Sequence, residues 1–311
     1  MRIVFLGSGA FGVPTLARVA AEHDVPLIVS QPDRPAGRSR ALTPTPIGVW
    51  AAERGVETIK PENVNEAPVV ERIRAARPDA LVVIAFGQYL GRAVREAAWA
   101  VNLHGSRLPR WRGAAPINHA ILAGDAETGN SVIAVARTMD AGDVFGITSR
   151  PIPPTVTAGE LHDLLSADGP DLVLRVLEER ARGAERGQPQ DEVEVTIAPK
   201  LSKADGWVDF ARPAEECRRR VHGLTPWPGV TARLGGEDLK LLRAEAGTAD
   251  NQQGEPGEIV DGAAGLVACG GGTALRLLEV QPPGKRAMRW EEFARGRQIK
   301  PGARMEGRSA C

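Results

Sequence analysis

A doubly wound, mostly parallel α/β sheet followed by a small β-barrel is predicted by three observations. Over the first half of the chain, short apolar runs alternate with helix-like segments, as they do when a parallel sheet is covered by helices. The chain opens as strand, glycine turn, helix and strand: Ile3–Leu6, Gly7-Ser8-Gly9-Ala10-Phe11-Gly12, Val13–Glu22 and Val25–Val29. After Gly183 the texture changes to short β runs broken by Gly and Pro, which suits a small barrel. A chain of 311 residues has room for both.

The remaining elements follow in order. Pro46–Arg54 reads as a helix, Glu57-Thr58-Ile59 as a strand and Ala67–Ala76 as a helix. Ala80–Ala85 is an apolar strand, Arg92–Ala100 is helix-like, and Ala100–His104 is a further strand. Ser131–Ala136 and Val144–Ile147 suit a hairpin, and Gly159–Arg182 a long helix. Gly183–Lys200 is polar and reads as a connecting segment. Beyond it, strands are expected at Gly206–Phe210, Val230–Leu234, Leu239–Leu242, Gly257–Val260, Leu266–Ala268 and Ala274–Val280, with one helix at Ala214–His222. The expected division is a first domain over 1–190, a linker over 191–204 and a second domain over 205–311.

Composition narrows the class. Hydrophobic residues make up 42% and charged residues 25%, enough for a sizeable core and against disorder. The formal net charge is zero, which argues against binding nucleic acid over the whole surface and leaves room for a local basic patch. Cys217, Cys269 and Cys311 are scattered, with no CxxC, so neither zinc nor a disulfide framework is suggested. No metal site is expected. The N-terminal run turns into glycines too soon for a signal peptide, and no window approaches the roughly 20 apolar residues of a membrane span. A cytoplasmic protein with no membrane contact is the expectation.

Three features carry chemistry. Asn102 and His104 lie two residues apart on a strand, so their side chains share one face, just before the chain breaks at Gly105 and Pro109. An amide donor beside a titratable ring at the mouth of an α/β sheet suits acyl transfer. Each residue alone is as readily structural. The second feature, Gly7–Gly12, fits G-x-G-x-x-G, but the acid such a dinucleotide site needs is badly placed: Asp33 sits in a proline-arginine loop. The glycines then serve only a tight turn. Third, Gln31–Pro46 is long for a strand-to-helix connection and carries Arg34, Arg38 and Arg40 against one acid, which suits phosphate contacts. Arg218–Arg220 and the basic residues from Lys285 to Arg308 add a basic C-terminal end.

The motifs Gln31–Arg38, Asn102-Leu103-His104-Gly105-Ser106, Leu108–Ile117, Met139-Asp140-Ala141-Gly142-Asp143 and Pro226-Trp227-Pro228-Gly229 resemble those of the methionyl-tRNA formyltransferases. The Asn-x-His pattern of Asn102–His104 and the Leu-Pro-x-x-x-Gly pattern of Leu108–Gly113 are shared by folate-dependent formyltransferases in general; the arginine loop and the Pro-Trp-Pro-Gly segment are more specific to the tRNA branch. The resemblance spans essentially the whole chain. It implies a Rossmann-like N-terminal domain, an OB-like C-terminal barrel that holds tRNA, and 10-formyltetrahydrofolate as formyl donor. The acceptor it implies is the α-amine of initiator methionyl-tRNA. By motif, the catalytic trio falls on Asn102, His104 and Asp140, with Asp143 as the competing acid. The folate segment falls on Ser106, Arg107, Leu108 and Pro109. Phe86, Gly87, Gln88 and Tyr89 could wall the pteridine, and Arg34, Arg38 and Arg40 would meet the tRNA. A monomer is expected. Two departures stand out: Arg107 occupies a position where Leu is usual, and Arg137-Thr138-Met139 lacks the usual Gly-Leu pair before the acid.

In that reading Asn102 donates to the developing oxyanion, His104 donates as a cation, and Asp140 orients the ring and relays the proton. Three alternatives stay open. They are formyl transfer to an amino-sugar nucleotide, an RNA-binding module without chemistry, and a nicotinamide-dependent dehydrogenase.

Overall fold

The computed structural model describes residues 1–36, 41–248 and 254–307. Contacts divide the chain into two compact units, and the division does not follow chain order. The first unit comprises Met1–Gly113, Thr128–Arg150 and His162–Ile197; the second takes Ala114–Glu127, Pro151–Leu161 and the chain from Ala198 onward.

The first unit is built on strands β1 (Arg2–Gly7), β2 (Asp24–Val29), β3 (Thr58–Ile59), β4 (Ala80–Ile84), β5 (Trp99–His104), β6 (Ser131–Ala134) and β7 (Val144–Ile147), in the order β7-β6-β5-β4-β1-β2-β3. The first five run parallel, and β6 and β7 add an antiparallel hairpin at one edge. All five residues of β4 are buried, as expected of a central parallel strand covered on both faces. Helices α1 (Val13–Glu22), α2 (Pro46–Arg54) and α3 (Ala67–Ala75) fill the crossovers. Local sequence sets their ends. Thr45 caps α2 by accepting from the Gly48 N–H at 3.0 Å, Pro46 starts it, and Gly55 stops it at φ 66°.

The glycine turn has a steric reason. A Cβ on Gly7 would lie 2.6 Å from the Phe5 ring, and one on Gly12 would lie 3.2 Å from the Ile84 side chain. The turn lets the helical segment close onto β1 and β4. Asp33, the only candidate for a ribose acid, is paired with Lys60.

Two expectations are corrected in this unit and the next. The helix expected over Arg92–Ala100 is a single turn, Arg92–Arg95, because parallel pairing with β4 starts β5 at Trp99. There the Trp99 ring meets Phe145 edge-on at 5.3 Å, with the Arg180 guanidinium 5.2 Å from its centroid. Within the polar connecting stretch after Gly183, Gln188 and Val144 exchange backbone hydrogen bonds, and Thr196 meets Trp111 and Arg112. No strand forms over Gly206–Phe210. Trp207 instead stacks at 3.5 Å on the guanidinium of Arg220, an interaction that periodicity does not report.

The second unit holds α4 (Pro116–Ala123), which starts at a proline and ends at Gly124 with φ 78°. The long helix α5 (Ala158–Ala181), which belongs to the first unit from His162 onward, has Pro170 inside it. The barrel strands are β8 (Val230–Leu234), β9 (Glu237–Thr248), β10 (Ile259–Asp261), β11 (Leu266–Cys269), β12 (Thr273–Gln281) and β13 (Met305–Glu306), ordered β10-β11-β12-β9-β8-β13. The two edges of this antiparallel sheet approach each other. Ile259 N–H donates to Ala303 O at 2.8 Å and Met305 N–H to Gly257 O at 2.7 Å, so the sheet is nearly closed into a barrel. Gly257 stands at the closure with φ 90°, where a Cβ would lie 2.5 Å from Met305 O. Two helices pack on this core: α6 (Ala214–Gly223) and α7 (Trp290–Arg297). Trp290 is fully buried and its Nε1–H donates to Gly262 O at 2.8 Å.

His222 on α6 is 2% exposed and held neutral by its partners. Its Nδ1–H donates to Pro154 O at 3.0 Å, while Nε2 accepts from the Ala244 N–H at 3.1 Å. Protonating Nε2 would set two hydrogens against each other. Burial, with Arg218 nearby, pushes the imidazole down to about 4. The unfolded chain therefore binds this proton first, and stability is complete above about pH 6.5 and declines as pH falls toward 4. Urea unfolding at pH 7.5 and pH 4.5 should show a loss of up to about 3 kcal/mol from this residue, absent in His222→Gln.

Candidate active site

The site lies at the carboxyl end of β5, where open α/β sheets place their ligands. In register, Asn102 stands between Val83 of β4 and Ile133 of β6. It shares a strand face with His104. The Asn102 carboxamide is half-buried and, among the described residues, makes no hydrogen bond. It is an amide donor left available at a strand end.

His104 is 6% exposed. Its Nε2 lies 2.8 Å from Trp111 O, and a carbonyl can only accept, so the Nε2–H donates there. The nitrogen left for chemistry is Nδ1, which faces Asp140 Oδ2 at 3.7 Å. The same carboxylate oxygen accepts from the Gly113 N–H at 2.9 Å. Of the two acids the motif offers, Asp140 is therefore the one at ion-pair distance from the ring; no such pair joins Asp143 to His104 among the described residues. Trp111 and Asp140 both adopt left-handed backbone, at φ 64° and φ 54°. A bulky side chain at such a φ costs about 1–2 kcal/mol, so the surroundings must hold it. Thr196 does so on the loop after β5: its Oγ1 accepts from Trp111 N–H at 2.8 Å and its carbonyl from Arg112 N–H at 2.9 Å.

The segment between His104 and Trp111 is braced from beneath. Ser131 Oγ accepts from the Leu108 N–H at 3.0 Å and donates to Ser106 O at 2.7 Å. Ser106 Oγ donates to Arg110 O at 2.7 Å. Ser106 and Leu108 are buried, Arg107 is half-buried, and the Leu108–Pro109 peptide is cis. The hydroxyl of Ser106 is thus spent within the loop. What this segment can offer a ligand is backbone, Arg107 and Pro109.

The wall expected from Phe86, Gly87, Gln88 and Tyr89 is mixed. Phe86 is 3% exposed and packs in the core with Val4, Leu6 and Val83, so its ring faces inward. Its carbonyl accepts from Ser8 Oγ and Gln31 Nε2. Gly87 has φ 80°, and a Cβ there would lie 2.7 Å from Gln31 Nε2. Gln88 is committed to Val64 N–H and Pro61 O. Tyr89 is 56% exposed and its hydroxyl reaches Arg137 O at 3.4 Å, next to the Asp140 loop.

The basic residues separate similarly. Arg34 is exposed and pairs with Glu62; Arg38 and Arg40 lie outside the described residues. Arg218 and Arg219 both pair with Glu215, and Arg220 stacks on Trp207 while donating to Trp207 O and Asp205 O. That triplet, expected as a basic face, is a structural element of α6. Ser131, Thr196 and Gln190 were not marked by any motif; they are single polar residues whose role is visible only once the loops meet.

Two family sequence models match this chain. Residues 1–177 match formyl transferase, and residues 200–298 match the formyl transferase C-terminal domain. The chain belongs to the formyl transferase family. Its likeness to the methionyl-tRNA formyltransferases within that family is close. The protein of that name from Methylobacterium sp. (strain 4-46) is 41% identical over 312 residues, covering 98% of this chain and 99% of the relative. The one from Moorella thermoacetica is 38% identical over 306 residues, covering 97% and 98%. Solved structures share the fold at low identity. WlaRD, a sugar 3N-formyl transferase in the presence of dTDP and 5-N-formyl-THF, superposes with TM-score 0.67 at 12% identity, covering 92% of this chain and 99% of that one. HypX from Aquifex aeolicus, in complex with tetrahydrofolic acid, gives 0.62 at 19%, covering 94% of this chain and 46% of that one.

The brace under this formyl transferase loop is testable. Ser131→Ala leaves the buried Leu108 N–H and Ser106 C=O without their shared partner. Unfolding free energy in urea at pH 7.5 should fall by about 2–4 kcal/mol.

Proposed function

We propose that the chain transfers the formyl group of 10-formyltetrahydrofolate to the α-amino group of initiator methionyl-tRNA, in the cytoplasm and as a monomer. The observation that carries the chemistry is the pairing of an uncommitted carboxamide, Asn102, with a buried ring whose free Nδ1 faces Asp140 at 3.7 Å. The choice of acceptor rests on the likeness to methionyl-tRNA formyltransferases over nearly the full chain.

The donor supplies a formyl carbon bonded to its N10. Asn102 donates to the formyl oxygen as the methionyl amine adds and charge develops there. Such a donor contributes about 3 kcal/mol when it is aimed at the developing oxyanion. His104, with its Nε2–H held by Trp111, presents Nδ1 as its exchangeable site. Asp140 holds that ring edge and, through Nδ1, helps move the amine proton to N10 as the C–N10 bond breaks. The amine gains the formyl group, N10 gains the proton, and no covalent enzyme intermediate is required. The backbone of Ser106, Arg107, Leu108 and Pro109 lines the folate, with Tyr89 and the Phe86–Gln88 backbone beside it. A backbone-mediated contact tolerates Arg107 where Leu is usual. Arg34, Arg38 and Arg40 meet the tRNA by charge and bidentate hydrogen bonds. In this reading 1–190 is the catalytic domain, 191–204 the linker and 205–311 the tRNA-binding domain.

Incubation with 10-formyltetrahydrofolate and either methionyl-tRNA or an amino-sugar nucleotide should formylate the methionyl-tRNA; formylation of the sugar alone overturns the acceptor assignment. Asn102→Ala should lower kcat on methionyl-tRNA about 100-fold, and turnover within twofold of wild type would remove the role given to Asn102.

A further inference from the structure

Gln190 stands at the junction of the loop after β5, which carries Trp111 and Arg112, and the loop that carries Asp140. Its Nε2 donates to Asp140 O and to Gly142 O, both at 2.8 Å, and its Oε1 accepts from Arg112 Nε at 2.9 Å. The amide orientation is fixed by its partners: two carbonyls can only accept and a guanidinium can only donate. Arg112 is 6% exposed and also makes a forked contact to both carboxylate oxygens of Glu192 at 2.9 Å and 3.2 Å. It directly follows Trp111, whose carbonyl holds His104 Nε2.

Both ends of the catalytic pair therefore meet at one side chain. On one side, Gln190 holds the backbone of Asp140 in its left-handed conformation. On the other, it holds the arginine adjoining the carbonyl that orients the ring. We infer that Gln190 is a positioning residue that sets the His104 Nδ1 to Asp140 Oδ2 separation. The inference rests on the acyl-transfer reading of the site and adds a residue that touches neither substrate.

Gln190→Glu is the discriminating substitution. It preserves shape and the contact to Arg112, but sets a carboxylate oxygen against two carbonyls. On methionyl-tRNA it should lower kcat at least 10-fold, with KM for both substrates within threefold and the thermal midpoint within a few degrees. In an Asp140→Ala background the same change should cost less than twofold, because the group it positions is gone. Equal losses in both backgrounds, or a single-variant kcat within twofold of wild type, overturn the inference. If wild type fails to formylate methionyl-tRNA, the acceptor assignment fails separately, and the His104 imidazole resonances then decide. Displacement of those resonances by Gln190→Glu in the same direction as by Asp140→Ala supports the linkage; unchanged resonances overturn it.

Discussion

His104 Nε2 sits 2.8 Å from the carbonyl oxygen of Trp111, and because that oxygen can only accept, one side of the ring is a committed donor. Everything else about the site follows from that commitment. The remaining nitrogen points at Asp140, and the ring cannot rotate to offer the other without losing its bond. For the carbonyl to be there, Trp111 takes a left-handed backbone that a bulky residue adopts only under constraint. Thr196 supplies the constraint from a stretch of chain more than eighty residues away.

The same economy recurs in the framework beneath. Ser131 belongs to the antiparallel strand next to β5 and bonds two groups of the loop that follows β5. Glycines appear where backbone must pass close by: a Cβ on Gly142 would lie 1.9 Å from Ala134 O, so the Asp140 loop can lie against β6 only with glycine there. Rigidity of this kind matters for acyl transfer, since an oxyanion donor works by being in place before charge develops.

Much of the fold is legible in the sequence. The helices Val13–Glu22 and Pro46–Arg54 occur with the bounds that their prolines, glycines and apolar spacing suggest. The parallel strands show as short apolar runs because both their faces are covered. Failures occur where tertiary contacts override local pattern. Trp99 belongs to a strand because β4 offers it a partner. Trp207 belongs to no strand because Arg220 stacks on it. Helix α7 hides behind a charged composition and is held by the buried indole of Trp290.

For the site, the sequence alone places Asn102 and His104 on one face, since alternation along a strand is a property of the backbone. It also marks the acidic loop as a source of a third group, through its motif. It cannot choose between Asp140 and Asp143, because that choice depends on how the hairpin β6–β7 turns and which carboxylate reaches Nδ1. Nor can it reveal that Gln190, in a polar stretch without periodicity, spans two loops, or that Arg218–Arg220 are consumed by Glu215 and Trp207. Local patterning encodes which face and which element a residue occupies. Hydrogen-bond partners distant in sequence are decided only when the chain closes on itself, because a donor's role depends on the acceptor it meets.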